Sequence, residues 1–539
     1  MAHCRMSRRT RRSAGQANGM SSSTHQETET KFEGCPRQPL SAQGLPGVDQ
    51  VTAAETDVLD AVYYDTEGLS LLGHGITLRR REGGADAGWH LKVPASDGSR
   101  TESQLPLGPE GSALPLELVR RACVYARGAQ LRPSAHLRTH RTRTLLKDAQ
   151  GRTLAEVAVD EVAARALDPV TDRATATAAG ATTAEPQTEL TSWTETEVEL
   201  VDVPPGEDGK VLLDAVAQQL AAQGVLPSRS GSKLAHALGA PMPALHLLRT
   251  DVSSAGVTAQ ALVGALRRHT DALLALDQAV RADEPDAVHQ MRTTARRLRS
   301  LLKIQRRLGD RSVLDPLADE LRWLGQVLGT HRDPQTLGER LVAQAHDLPA
   351  PTDPSATASH IRAWADKECA VARKGLLRTL DSERYFTLID SLERTAAQPR
   401  LRPGRQFGKK AARKLLRHEV RRVGRRADEA RALSQGPARD RPLHQTRKAS
   451  KRARYGAEAL ADILDKAGRV SHGYKKAQKH LGRHQDAVAA EQVLAELSCG
   501  RRTTSADAFA YGILFAVQRR DTEADVAAAW RATRKVGKV

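Results

Sequence analysis

The chain has 539 residues, enough for two or more domains that each bury their own core. Its formal charge of +18 is unevenly placed, since residues 1–250 carry 27 Lys and Arg against 30 Asp and Glu, whereas residues 251–539 carry 55 against 34. A positive field confined to the second half indicates a polyanionic partner, such as nucleic acid, anionic lipid or polyphosphate.

The composition disfavours several classes of protein. Aromatic residues make up 3% of the chain, too few for single-stranded nucleic-acid binding by base stacking. The five cysteines are scattered without a Cys-x-x-Cys pair, so we expect neither a disulfide framework nor a zinc site. No apolar run could span a membrane and no secretory signal is recognisable, which predicts a cytoplasmic protein. Residues 1–24 are expected to form a disordered basic tail, with Met20 as an alternative start, and the sequence identifies no protein partner.

The first half has the pattern of short strands, with Gly, Pro and Asp between them. The predicted strands are 27–32, 57–65, 75–82, 88–93, 136–147, 152–162 and 191–201. An Ala- and Thr-rich segment at 164–188 is expected to be a flexible loop, and 212–222 and 232–239 are predicted helices. We therefore expect a β domain at 25–240 and a linker at 241–256.

From residue 257 to residue 535 the chain has long helical periodicity. The predicted helices are 262–282, 286–308, 313–330, 358–377, 409–432, 444–465, 470–481 and 487–497. Two of them are expected to end in Leu-Gly, followed by basic or histidine residues and then by Asp333 or Asp486. This repeat predicts a duplicated helical bundle.

Acidic residues alternate along two of the predicted strands. Alternation places Glu27, Glu29 and Lys31 on one face, and it does the same for Glu195 and Glu197. Carboxylates on one face repel each other unless a cation lies among them, and hard ions such as Mg²⁺ or Mn²⁺ suit these oxygen ligands.

Basic residues line the strands between the acidic ones. A barrel with carboxylates on one wall and Arg or Lys on another could hold a metal-chelated phosphate chain, although ordinary solvated strand faces would give the same pattern. Arg138 has the opposite parity to Arg141 and Arg143, so the face of that strand stays open. The candidate phosphate-binding residues are Lys31, Arg79, Arg81, Lys92, Arg138, Arg141 and Arg143.

The first half resembles CYTH domains, the triphosphate tunnel metalloenzyme family. The resemblance begins at the ExExK pattern of Glu27-x-Glu29-x-Lys31 and covers about residues 25–240. It continues through Tyr63-Tyr-Asp-Thr66, Leu78-Arg-Arg-Arg81, Trp89-x-Leu-Lys92, Leu154-Ala-Glu-Val-Ala-Val-Asp160 and Trp193-x-Glu-x-Glu-x-Glu-Leu200.

This resemblance implies an α+β chain that begins with an eight-stranded antiparallel tunnel acting on triphosphate compounds with Mg²⁺ or Mn²⁺. It implies catalytic roles for Glu27, Glu29 and Lys31, and metal-side positions for Glu27, Glu29, Asp160, Glu195 and Glu197. His136 and His140 depart from the family, because relatives often have Arg or Lys there, and neutral imidazoles would grip phosphate less strongly.

The second half contains a basic helical stripe twice, at offsets 0, 3, 7 and 10, with apolar residues on the opposite side of the first copy. It resembles the CHAD domain, a helical domain linked to polyphosphate binding, and mixed Arg and Lys suit a flexible polyanion. A third basic helix, which carries Lys410, Arg413 and Arg417, is interpreted equally well as an ordinary solvated surface. The candidate polyphosphate-binding residues are His289, Arg292, Arg296, Arg299 and Lys303, then Lys410, Arg413 and Arg417, then His444, Arg447, Lys451 and Arg454.

Ordinary structural roles are alternatives to these functional assignments. Each stripe histidine could cap its helix or be buried, and Asp333 and Asp486 are expected to cap helices or pair with stripe arginines rather than bind metal. No catalytic grouping faces the stripes, so catalysis is not expected in the helical half.

Three functions follow from the sequence. The first is a metal-dependent triphosphatase tunnel joined to a polyphosphate-binding module, with association with polyphosphate granules. The second is a non-catalytic polyphosphate-binding or granule-targeting protein, and the third, disfavoured by the low aromatic content, is a nucleic-acid binder. The substrate is left open among tripolyphosphate, a nucleoside triphosphate, thiamine triphosphate and long polyphosphate.

Overall fold

The computed structural model describes residues 23–94, 100–109, 111–167, 190–203, 209–228, 230–239, 249–434, 436–500, 503–520 and 522–536. Most of the expected tail at 1–24 and of the expected loop at 164–188 lies outside these residues, and so do the side chains of residues 23–27. The chain divides into two compact units, one formed by Met1–Leu118 with Gln130–Ala244 and the other by Val119–Ala129 with Leu245–Val539.

The first unit is built on an antiparallel sheet, which the alternating composition of its segments predicts. Its strands are β1 (Ser23–Glu27), β2 (Glu29–Glu33), β3 (Gln50–Val51), β4 (Glu55–Asp65), β5 (Thr77–Glu82), β6 (Gly88–Pro94), β7 (Arg100–Leu105), β8 (Arg132–Lys147), β9 (Thr153–Ala166), β10 (Leu190–Leu200) and β11 (Leu226–Pro227). The helices that accompany them in the sequence are α1 (Ser70–Gly73), α2 (Leu116–Ala126), α3 (Gly209–Ala222) and α4 (Lys233–Ala237).

The sheet does not form the expected eight-stranded closed barrel. Ten strands follow one hydrogen-bonded path, β1-β7-β6-β5-β4-β8-β9-β10-β2-β11, which does not close, and β3 adds to β8. The count differs because the chain from Ser23 to Glu33 is interrupted at Thr28 and supplies two strands, β1 against β7 and β2 against β10. The strands β3 and β11, of two residues each, account for the remaining difference.

The two faces of the sheet have different partners. Helix α3 packs on one face, where Val216 and Leu220 contact a cluster that includes Phe32 and Val198. The other face is polar along β2 and β10 but apolar at one end, where Leu234 of α4 joins Leu137 and Val162. Helix α4 therefore begins at the boundary between the polar and apolar parts of this second face.

The second unit is helical, as the periodicity predicted. Besides residues 119–129 it contains α5 (Val257–Arg281), α6 (Ala287–Gln305), α7 (Arg311–Ala345), α8 (Pro354–Leu380), α9 (Glu383–Ala397), α10 (Lys409–Arg431), α11 (Pro437–Ala459), α12 (Ala467–Ser498), α13 (Ser505–Arg520) and α14 (Thr522–Val536). Helix α6 packs on α7, and its repeat copy α11 packs on α12. Helices α6 and α11 also contact each other, and a Cβ at Gly456 would lie 2.7 Å from Ile304.

The expectation that two helices end at Leu-Gly is wrong. Gly329 lies inside α7, which continues to Ala345 through Pro334, and Gly482 lies inside α12, which joins the predicted helices 470–481 and 487–497. Glycine is disfavoured inside a helix by about 1 kcal/mol relative to alanine, so a different requirement must place it there.

Among the residues that the structure describes, no helix combines the length and apolar character needed to cross a membrane.

Candidate functional site

Three carboxylates meet on the polar face of the sheet around one ammonium group. Oxygens of Asp160, Glu195 and Glu197 all lie within 4.8 Å of one another, and all three residues are buried or nearly so. The Lys233 Nζ lies among them, 2.9 Å from Asp160, 2.7 Å from Glu195 and 2.6 Å from Glu197. We call Asp160, Glu195 and Glu197 the acidic trio.

Strand register brings the acidic trio together. Asp160 of β9 pairs with Glu195 of β10, and Glu197, two residues further along, lies on the same face. On the other side of β10, Glu197 pairs with Lys31 of β2, and their side chains form an ion pair. Neighbouring strands thus supply one face with acids that are far apart in sequence.

Local contacts fix the backbone of Lys233. The Ser232 side chain caps α4 by accepting a hydrogen bond from the Ala235 N–H at 3.1 Å. The His236 ring stacks on Trp193, with ring centroids 4.1 Å apart, and the Trp193 indole donates to Glu195 at 2.7 Å. The helix that carries Lys233 is therefore tied to the strand that carries two of the acids.

Cations keep Asp160 and Glu197 ionised. Burial would raise the pKa of Glu197, but the charges of Lys233, Lys31 and Arg141 hold it well below its usual value. For Asp160, burial is likewise opposed by Lys233 and Arg141, and its pKa is lowered. Burial disfavours the charged form of Lys233, yet the three carboxylates raise its pKa above the ordinary value. Arg141 contacts both Asp160 and Glu197 at 2.7 Å.

A basic wall faces the carboxylates. Arg79 and Arg81 of β5 and Lys92 of β6 line the same cavity as Lys31, Arg141 and Glu197. Burial, followed by the charges of Arg79 and Arg141, lowers the pKa of Arg81 to about 9. Arg81 pairs with Asp86, which lines the same cavity, and the excess of cations around this pair favours an anionic ligand.

The side chains fill most of this cavity. Its volume is about 70 Å³, room for about two water molecules. A phosphate chain would fit only if the cations that now pair with carboxylates exchanged those partners for phosphate oxygens. Lys31 pairs with Glu29 and Glu197, and Lys92 lies 3.9 Å from Glu102.

The donor set of the acidic trio fits a hard divalent cation. All its ligand atoms are carboxylate oxygens, which Mg²⁺ and Mn²⁺ prefer. The Glu195 Oε1 is buried against the Lys233 ammonium at 2.7 Å, so a coordinating ion would take the place of that contact.

The structure separates the predicted tunnel residues into groups. Glu29, Lys31, Arg79, Arg81, Lys92, Arg141 and Glu197 line one cavity, and Asp160 and Glu195 adjoin it through Lys233. Glu29 lies near Arg100, at 3.8 Å, and is not part of the acidic trio. Glu27 ends β1 opposite Arg100, and its side chain lies outside the described residues.

Two predicted phosphate-binding residues lie elsewhere. Arg138 is exposed on the face opposite to Arg141, so its assignment to the cavity is wrong. Arg143 shares the face of Arg141 but does not line the cavity, and it pairs with Asp57 at 3.0 Å. From the sequence alone, either Arg138 or the pair Arg141 and Arg143 could have faced the cavity. His136 and His140 share the parity of Arg138 and therefore do not replace cavity cations.

Sequence reasoning missed several residues of the cavity. Lys233 is the most important, and its signal was a lysine directly after a capping serine at the start of a short predicted helix. The Tyr63 hydroxyl accepts a hydrogen bond from Arg79 at 3.3 Å. The other missed lining residues are Thr77, Asp86, Arg100, Glu102, Glu199 and Ser232. Glu199 differs from Asp160 and Glu197, because burial, with Glu29 among its neighbours, raises its pKa.

In the helical unit the two basic stripes form one cluster. Burial, followed by the charges of Arg447, Arg296 and Arg292, lowers the pKa of Lys451 well below its usual value. These four residues come from α6 and α11, so the stripes converge where the helices meet. The Nε atoms of Arg296 and Arg447 are buried without a hydrogen-bond partner. We call Arg292, Arg296, Arg447 and Lys451 the cationic cluster.

The Leu-Gly glycines lie beside arginines of this cluster. A Cβ at Gly329 would lie 3.0 Å from the Arg292 guanidinium, and one at Gly482 would lie 3.5 Å from that of Arg447. Arg292 also pairs with Asp333, as one of the alternatives for that residue predicted. The contact would be tight at Gly329 but of ordinary length at Gly482, so only Gly329 clearly makes room for a stripe arginine.

The remaining stripe residues differ in their surroundings. His289 is exposed, whereas the His444 Nδ1–H donates a hydrogen bond to the Gln485 Oε1 at 2.5 Å. Arg299 and Lys303 continue the first stripe, and burial followed by neighbouring Arg charges lowers the pKa of each. Arg454 pairs with Glu458 at 2.7 Å. Lys410, Arg413 and Arg417 form an exposed row on α10.

Two family models match the chain, a CYTH domain at residues 25–226 and a CHAD domain at residues 264–495. Two curated relatives, described as uncharacterized proteins of Mycobacterium tuberculosis strains CDC 1551 and H37Rv, are 35% identical over 507 residues, which is 93% of this chain and 94% of each relative. PptA from Streptomyces chartreusis aligns with a TM-score of 0.44 and 23% identity over 51% of this chain and 98% of that chain. The CHAD domain from the plant Ricinus communis aligns with a TM-score of 0.41 and 25% identity over 52% of this chain and 92% of that chain.

Proposed function

The chain belongs to the family of proteins that join a CYTH domain to a CHAD domain, and from this premise we propose a divalent-metal-dependent inorganic triphosphatase with a polyphosphate-binding helical unit. One observation carries the catalytic part, the acidic trio beside a cavity lined by Arg79, Arg81 and Lys92. Acids on one side and cations on the other suit a metal-chelated chain of phosphates.

In this proposal each wall has its own role. Asp160, Glu195 and Glu197 would hold Mg²⁺ or Mn²⁺, which would neutralise charge on the phosphate chain and polarise its terminal phosphoryl group. Arg79 and Arg81 would grip phosphate oxygens with forked N–H groups, and Lys92 would add a point charge. Lys31 and Arg141 would exchange carboxylate partners for phosphate oxygens when the substrate enters.

Glu199 is the cavity carboxylate best suited to accept a proton. A general base works best when its pKa lies near the working pH, and the pKa of Glu199 is raised by burial whereas those of Asp160 and Glu197 are lowered. Glu199→Gln should accordingly reduce kcat more than it raises KM, and it should flatten the acidic limb of the pH–rate profile.

Phosphate release from tripolyphosphate, with and without Mg²⁺ or Mn²⁺, tests the proposal. The double variant Glu195→Gln with Glu197→Gln should abolish release. Glu161→Gln is the matched control, since Glu161 is exposed on the opposite face of β9. Equal activity in the double variant and the control would overturn the assignment, and a substrate panel with nucleoside and thiamine triphosphates would identify the preferred substrate.

The cationic cluster supports the second part of the proposal. Four cations converge here, and two of them, Arg296 and Arg447, have buried Nε atoms without a hydrogen-bond partner. An anion with many oxygens would stabilise this arrangement most. From Arg292 to Arg306 the stripe rises by 14 residue steps, about 21 Å along a helix, which favours a linear anion over a single phosphate. A polyphosphate chain meets both requirements and would account for association with polyphosphate granules.

Polyphosphate binding tests this second part. The variant with Arg292, Arg296, Arg447 and Lys451 all changed to alanine should lose salt-sensitive binding. A control in which Arg362, Lys367, Lys374 and Arg378 are changed to alanine removes the same charge from exposed positions on α8. Equal losses in both variants would mean that net charge alone, and not the cationic cluster, determines binding.

A non-catalytic role is the second candidate, because Lys233 lies where a metal would bind. It predicts tight polyphosphate binding without phosphate release under any metal condition.

A further inference from the structure

We propose that the Lys233 ammonium is an internal competitor of the divalent cation, holding the acidic trio in the metal-free protein and weakening metal binding until it moves away. This inference rests on the proposed metal site and concerns its regulation.

The spacing of the acidic trio suits an ammonium group better than a metal ion. The Lys233 Nζ lies 2.6 to 2.9 Å from one oxygen of each carboxylate. Mg²⁺ binds oxygen at about 2.1 Å, so each oxygen would have to move inward by roughly half an ångström or more. The side chain of Lys233 is only 8% exposed, and an ion of this radius cannot enter the trio while the ammonium remains there.

The local charges favour the same conclusion. The acidic trio carries three negative charges, and three cations already contact it, because Lys31 and Arg141 join Lys233. A divalent ion added to this arrangement would bring two uncompensated positive charges into a buried site. Removing the lysine charge restores the attraction, and so would the arrival of a negatively charged phosphate chain together with the metal.

The side chain can move without its helix. The backbone of α4 is held by the Ser232 cap, by buried Leu234 and by the stacking of His236 on Trp193. The lysine side chain has four carbons joined by rotatable bonds, so its ammonium group can move away from the acidic trio while these contacts persist. A phosphate chain in the adjacent cavity would offer the ammonium new oxygen partners, since Lys233 is one of the residues that line this cavity.

Mn²⁺ binding to the full chain without substrate tests the inference, with free Mn²⁺ measured by electron paramagnetic resonance. Lys233→Met removes the charge at similar length and should tighten Mn²⁺ binding at least tenfold. Lys233→Arg keeps the charge and should bind no more tightly than the unmodified protein. Lys92→Met, which removes an equal charge from the opposite wall of the cavity, should change the affinity by less than threefold. Unchanged or weaker Mn²⁺ binding in Lys233→Met would overturn the inference.

Thermal unfolding guards against a variant that simply fails to fold. Without metal, Lys233→Met leaves the acidic trio short of a counter-ion and should unfold at a lower temperature than the unmodified protein. Added Mn²⁺ should raise its unfolding temperature more than that of the unmodified protein, because it binds more tightly. Equal stabilisation of both proteins would count against competition. If Mn²⁺ binding tightens but neither protein releases phosphate, the catalytic proposal fails while the competition stands.

Discussion

Arg452 donates two hydrogen bonds of 2.6 Å to the carboxylate of Glu419, and both side chains are buried. Arg452 lies on α11, the helix of the second basic stripe, but its charge is paired with a buried carboxylate on α10. Arg447, five residues earlier, has a buried Nε without a hydrogen-bond partner. Basic residues of one helix therefore divide into those that hold the fold and those available to a ligand.

Arg452→Ala should destabilise the helical unit by about 3–5 kcal/mol, because it leaves the Glu419 carboxylate buried and unpaired. Arg447→Ala should change stability by less than about 1 kcal/mol, since it relieves repulsion among cations, but it should weaken polyphosphate binding. Urea unfolding followed by circular dichroism, together with polyphosphate titration, would distinguish the two. Similar losses of stability in both variants would contradict this division.

The sheet unit should lose stability on acidification because of His90. This imidazole is 1% exposed, and burial lowers its pKa to about 4, against an ordinary value of 6.5. The unfolded chain takes up a proton below pH 6.5 and the folded one only near pH 4, so the stabilisation present above pH 6.5 is lost as pH falls, at up to about 1.4 kcal/mol per unit.

Hydrogen exchange of peptides from β5 and β6, measured between pH 7 and pH 5 with correction for intrinsic rates, reports this loss locally. His90→Asn should reduce the pH slope, whereas His140→Gln, at an exposed position, should preserve it. An unchanged slope in His90→Asn would assign the effect to other groups, beginning with Glu102, which contacts His90 at 2.7 Å.

Gly329→Ala should weaken polyphosphate binding about threefold while making the helix more stable. Its Cβ would meet the Arg292 guanidinium at 3.0 Å and force it to shift, whereas alanine in a helix is favoured over glycine by about 1 kcal/mol. Gly325→Ala is the matched control, because a Cβ there meets nothing within 4 Å and only the gain in stability is expected. Gly329→Ala and Gly325→Ala should therefore differ in polyphosphate affinity, measured by titration, but have similar melting temperatures.

Polyphosphate should displace single-stranded DNA of equal charge from the helical unit. Binding of single-stranded nucleic acid usually depends on exposed aromatic rings on which bases can stack. At the stripes, the Tyr455 ring already has the guanidinium groups of Arg297 and Arg454 near it, at 5.6 and 5.4 Å from its centroid. Both ligands should bind less tightly as salt rises. A competition assay at fixed ionic strength checks the order, and preferential retention of DNA would support the nucleic-acid alternative.

Alternation within single strands was enough to predict which residues share a face. Glu195 and Glu197 were grouped correctly for this reason, and the helical offsets likewise placed Arg292 and Arg296 on one side of α6. Sequence could not decide between Arg138 and Arg141, because a strand has two faces and only its partners determine which one is covered.

Patterns within one strand or helix could not predict contacts between residues that are far apart in the sequence. Nothing local to Lys233 indicates that a five-residue helix brings it to carboxylates on β9 and β10. The Leu-Gly pairs were misread for a related reason, since glycine ends many helices and only the position of Arg292 on the neighbouring helix explains Gly329 within α7.

The split strand at Thr28 also determines when the first unit can finish folding during synthesis. Residues 29–33 pair with β10, and the contact between Lys31 and Glu197 spans 166 positions of the chain. At ribosomal speeds β2 must wait on the order of ten seconds for β10, with its edge exposed to other chains. The helical unit forms many of its contacts between consecutive helices and should fold soon after it emerges. The two halves of this protein should therefore differ most in the time for which they need protection by chaperones.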